Sequence, residues 1–116
     1  MSFDLSFWYE NTPSSPEQAM AIYYRLTDDE TGVVHASPSV EAFFTEVIAI
    51  FGDLAEENPD DPPWTSSLYR TPECVIANIS YTRCKEVAPE LLRLAHKHGL
   101  TMFDPQTSEV HHPSER

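Results

Sequence analysis

The sequence predicts an α+β domain, a two-layer sandwich in which a mainly antiparallel sheet carries its helices on one face. Three observations predict it. Residues 3–9 alternate between apolar and other side chains, the pattern of a half-buried strand. Two segments then open on serine followed by proline and continue with apolar residues at helical spacing. The last third of the chain holds another helical pattern and then a short strand–turn–strand pattern, which favours hairpins.

The elements follow in order. Phe3, Leu5, Phe7 and Tyr9 form one face of the first strand, opposite Ser2, Asp4, Ser6 and Trp8. Trp8 implies that this second face is also partly covered. Asn11 to Ser15 is rich in turn formers. Ser15, Pro16 and Gln18 then make a capping box with proline at the first helical position, where its missing N–H costs nothing. Ala19, Ile22, Tyr23 and Leu26 supply the apolar face of this first helix. Val33 and Val34 suggest a short extended piece. Ser37 and Pro38 repeat the entry device. Val40, Phe43, Phe44, Val47, Ile48, Phe51 and Leu54 give the second helix the broadest apolar stripe in the chain.

Residues 58–64, NPDDPPW, hold three prolines and predict a stiff exposed loop. Residues 66–70 and 74–80 read as strands around a turn at 71–73. In the second of them Val75, Ala77 and Ile79 share one face and Cys74 and Ile76 the other, so it should lie inside the sheet. A third helix is expected over 83–98, with Pro89 in its first turn or kinking it. Gly99 and Leu100 suit a Schellman stop. Residues 100–103 and 109–111 close the chain as a hairpin around Asp104-Pro105-Gln106. The order is β-α-α-β-β-α-β-β, and a ferredoxin-like core with an added helix fits it. Residues 1–116 are expected to form one domain, with 113–116 a flexible tail.

At 41% hydrophobic content, a chain of 116 residues can bury one core. No apolar run reaches the roughly 18–20 residues of a membrane span. The opening MSFDLSFWYE has neither the basic start nor the cleavage site of a signal peptide, so a cytoplasmic protein is expected. Cys74 and Cys84 are not a CxxC pair and read as reduced, partly buried thiols.

The net charge is −12, and its placement matters more than its size. Residues 1–69 hold 13 acidic residues against one base, Arg25, a balance of −12. Residues 70–116 hold six of each. Such a field repels nucleic acid and anionic membrane and attracts cations, although an acidic surface also serves solubility alone.

Few residues are placed for catalysis. With three glycines, Gly32, Gly52 and Gly99, no phosphate loop can be built. Neither a nucleophile elbow, a zinc-protease motif nor a calcium loop is present. His96 and His98 point to different sides of a helix, and His111 and His112 to opposite faces of a strand. One histidine of each pair could meet in space, but no third ligand is evident. A cleft gathering His98, His111 and Cys84 would argue for an enzyme. The expectation is no catalytic residues, no metal and no cofactor.

A dense acidic segment remains. Asp53, Glu56, Glu57, Asp60 and Asp61 are followed by Trp64, with no base among them. Carboxylates at a helix C-terminus oppose the helix dipole, and a local choice that works against folding invites a functional reading. These six residues are the expected partner-binding surface, with Trp64 as the anchor. The competing reading folds Trp64 onto the core and leaves the acids as a solvated rim.

The start MSFDLSFWYE, the PPW of Pro62–Trp64, the strand CVIANIS and the segment LAHKHGLTMFDPQ at Leu94–Gln106 together resemble a group of small bacterial cytosolic proteins. Some of these look like immunity proteins of polymorphic or contact-delivered toxin systems. The shared motifs are structural, and Asp104-Pro105-Gln106 is explained by a turn. The resemblance implies no particular toxin and carries over no binding residue; taken with the acidic charge, it leads to the expectation of a protein that neutralises a toxin by direct binding. Electrostatic steering would speed its association with a basic partner. The alternatives are a nucleic-acid mimic that blocks a DNA-binding protein, and a small enzyme.

Overall fold

The computed structural model describes residues 2–52 and 63–113. The elements are β1 (Ser2–Trp8), α1 (Pro16–Thr27), α2 (Pro38–Phe51), β2 (Tyr69–Arg70), β3 (Cys74–Ser80), α3 (Cys84–Lys97), β4 (Thr101–Asp104) and β5 (Glu109–His111). The five strands form one sheet in the order β2-β3-β1-β4-β5. Every pairing is antiparallel. The fold is therefore α+β, as expected. The order β2-β3-β1-β4 is that of a ferredoxin-like core, and β5 extends it at one edge.

The alternation in β1 decides what each side of the sheet meets. Leu5 and Phe7 face one side and join Val75, Ala77, Ile79 and Met102 beneath α2 and α3. From α2 come Val40, Phe43 and Val47, and from α3 come Val87, Leu91, Leu94 and Ala95. The Phe7 and Phe43 rings lie 4.7 Å apart between centroids. Each such side chain contributes about 1.5–3 kcal/mol through burial.

The other side is covered too. Trp8, Cys74, Ile76 and Phe103 pack with Ala19 and Leu26 of α1. The expectation that all helices share one face is thus corrected. α1 lies on the opposite face from α2 and α3, and the domain has three layers. The cause is the apolar second face of β1, β3 and β4: Trp8 and Cys74 are fully buried, and exposed they would forfeit that stabilisation.

Local devices set the helix ends. The Ser15 side chain accepts from Gln18 N while Gln18 Oε1 accepts from Ser15 N, a complete capping box. Ser37 Oγ accepts from Ser39 N at the start of α2. α2 ends at Gly52, whose φ of 77° and ψ of −174° suit glycine. Arg83 caps α3 without a side-chain bond, and Pro89 lies inside this helix beyond its first turn. Leu100 N donates to Ala95 O and Gly99 N to His96 O, closing α3.

Two extended segments are shorter than the sequence suggests. Val33 and Val34 form bends, not a strand. Glu73 explains this, since its carboxylate accepts from Gly32 N at 2.7 Å and Val33 N at 3.2 Å, satisfying those donors without a sheet. The strand expected over 66–70 reduces to Tyr69–Arg70. Of the expected tail, residues 114–116 lie outside the described residues.

Candidate functional site

The expected binding surface is only partly within view. Asp53, Glu56, Glu57, Asp60 and Asp61 lie outside the described residues. Trp64 is described, and it is not an exposed anchor. It is 4% exposed and part of the α2/α3 core. Its Nε1 donates to Gly52 O at 2.7 Å, and its ring meets Phe51 edge-on at 5.6 Å. An indole brings a large apolar body and one donor. Here the body fills the core, and the donor satisfies a carbonyl at the α2 terminus. Trp64 is corrected from a partner contact to a structural staple.

A different site emerges where β1 hands over to α1. Glu10 follows β1, and its side chain is only 9% exposed. Its Oε2 accepts from Trp8 Nε1 at 2.8 Å. Its Oε1 accepts from Ser14 N and from Thr101 Oγ1, each at 3.2 Å. His112 Nδ1 lies 3.5 Å from the same oxygen. His112 Nε2 donates to Ser14 O at 3.0 Å. Residues beside β1, β4 and β5 therefore converge on one carboxylate. Sequence reading overlooked Glu10, although an acid just past a buried Trp8 whose indole needs an acceptor was a usable signal.

Above Glu10 opens a groove of about 620 Å³. One wall is the link over residues 9–14, one is Gln18, Ala21 and Ile22 of α1, and the third is Val33–His35. Glu73 fixes the third wall through the backbone donors of Gly32 and Val33, an anion held by successive N–H groups. Volumes of roughly 300–1,000 Å³ are typical of ligand pockets.

The histidines divide: His96 lies beside His111 and His112, while His98 is engaged elsewhere. Burial lowers the pKa of His96 below its ordinary value, while a hydrogen bond to the His111 backbone raises it. Among the described residues the His96 Nε2 has no hydrogen-bond partner. His98 Nε2 lies 2.8 Å from Glu46 Oε1, and Lys97 donates to Glu46 Oε2 at 2.9 Å. Together Lys97 and His98 hold the Glu46 carboxyl below its usual range. Cys84 Sγ donates to Tyr81 O at the far end of α3. Since the 14-residue helix is about 20 Å long, Cys84 and His98 do not share a cleft. Burial pushes the Cys74 thiol up. Among the described residues no three His, Cys, Asp or Glu side chains group as metal ligands.

Other carboxylates are tied into the fold. Tyr69 donates to Asp29, and that bond pushes the phenol up to about 12. Asp4 accepts from Asn78 Nδ2 at 2.7 Å and from Ser2 Oγ at 2.6 Å. Among the described residues no helix is long and apolar enough to cross a membrane. No protein-family model matches the chain, and comparison with curated proteins and with solved structures returns no match.

Proposed function

We propose that this chain is an acidic binding protein of the cytoplasm that captures a basic protein. Its partner is a toxin domain, which the chain neutralises as an immunity protein does. The supporting observation is the balance of −12 over residues 1–69, set beside the fate of the cations. Arg25 pairs with Glu30, Arg83 with Glu86, Arg93 with Glu90 and Lys97 with Glu46. These pairs are partly exposed, so each adds only about 0–1 kcal/mol to stability. Their larger effect is to cancel the positive charges locally, which leaves the excess acid in the first part of the chain to shape the external field. Binding is favoured over catalysis because His98, His111 and Cys84 are separately engaged.

Co-purification with the product of the adjacent gene tests the reading. A complex that forms at low ionic strength, weakens with salt, and is lost on charge reversal of Asp60 and Asp61 supports it. Failure to retain any basic protein, together with indifference to that charge reversal, overturns it. Displacement of the partner by DNA would instead assign a nucleic-acid mimic.

A further inference from the structure

We propose that the groove above Glu10 receives a lysine or arginine side chain from the partner. This inference rests on the binding reading above and assigns it a place. A basic side chain has two parts, an aliphatic stem and a cationic head. The groove offers a match to both. Ala21, Ile22, Val33 and Val34 line it with apolar surface, and Glu10 supplies a carboxylate.

Trp8, Ser14 and Thr101 donate neutral hydrogen bonds, which orient the carboxylate and add no countercharge. Among the described residues His112 is the one titratable base in contact with it, its Nδ1 3.5 Å from Oε1, and it offsets the carboxylate only when protonated. Among the described residues no lysine or arginine lines the groove. Low exposure of the carboxylate places its field in a medium of lower dielectric than water, so a cation nearby feels it more strongly.

One effect opposes the proposal. The N-terminus of α1 borders the groove through Gln18, and a helix N-terminus carries about half a positive charge. That end is already capped by Ser15, and Glu17 stands in its first turn. A whole carboxylate charge therefore outweighs the remaining partial one. The head of the guest remains at the groove, attracted by Glu10, while its stem displaces water from the Ile22 and Val33 side.

Nuclear magnetic resonance on the full chain tests this directly. The probe is the peptide N-acetyl-Gly-Arg-Gly-amide, and its counterpart with neutral citrulline is the control. Saturable shifts centred on residues 9–14, 18–22 and 33–35 are expected with arginine and not with citrulline. Ala21 is an exposed helical position at the rim, so A21R should fold and place a cation in the groove. It should weaken the arginine peptide by about tenfold. An equal response to citrulline, shifts confined to acids elsewhere, or no response at all overturns the groove assignment. Those results leave the capture of a basic protein standing if co-purification still succeeds. Conversely, groove binding of the peptide without any protein partner would overturn the toxin-binding reading and keep the groove.

Discussion

The two faces of the sheet solve the same burial problem differently. Beneath α2 and α3 the contacts are almost wholly apolar, from Leu5 and Phe7 through Val75 to Leu94. Beneath α1, Trp8 and Phe103 are buried beside polar groups: Ser6, Thr101 and the Glu10 carboxylate at the sheet's end. The first face holds the fold by area removed from water. The second combines area with the hydrogen bonds that Trp8 and Thr101 donate to Glu10, so it is more sensitive to chemistry than to volume. The groove belongs to this second side, where polar atoms are already organised.

Neighbouring residues separate the two behaviours. Phe7→Ala and Trp8→Ala should each cost about 3–5 kcal/mol in urea unfolding, since both side chains are fully buried. Equal losses from both would be consistent with simple cavity formation. The sharper contrast comes from Trp8→Phe, which keeps a ring and removes the donor to Glu10 Oε2. It should cost about 1–3 kcal/mol through the under-satisfied carboxylate. A cost below a few tenths would show that area alone governs the α1 side.

Helix entry offers a smaller test. Ser15→Ala should destabilise by about 1 kcal/mol, through loss of the capping box that starts α1. Because α1 forms the groove wall, the same variant should increase amide exchange at Gln18, Ala21 and Ile22 more than in α2. Uniform exchange across both helices would mean that the two layers unfold as one unit.

The smallest effect concerns pH. Burial lowers the His96 pKa below its ordinary 6.5. As pH falls through that value, the unfolded chain binds the proton first, so this residue's contribution lowers stability on acidification. Below the folded-state value the loss stops growing. In His96→Gln the slope of stability between pH 7.5 and the acid side of 6.5 should be shallower than in the parent protein. An unchanged slope would place the proton uptake elsewhere. Glu46, held low by Lys97 and His98, loses its contribution only in the more acidic carboxylate range.

Much of the architecture was legible in residue spacing. Period-two alternation located β1 and β3, and the Ser-Pro starts located α1 and α2. The placement of α1 was harder. Trp8, Cys74 and Ile76 announced a covered second face, yet periodicity reports which side of a helix is apolar and not which layer it joins. Glu10 and Glu73 were missed for a related reason. Their roles depend on donors distant in sequence, Thr101 for one and Gly32 for the other. Trp64 had two readings from composition alone. The carbonyl of Gly52 distinguishes them, and no local pattern pairs residues 52 and 64.

The bond from Trp64 to Gly52 has a practical corollary. It fastens together the two points where the chain leaves α2 and rejoins the sheet at the Trp64–Ile79 bridge. With those exits fixed, both sides of the insertion point are held by the folded domain, and a reporter spliced between residues 52 and 63 should leave that domain assembled.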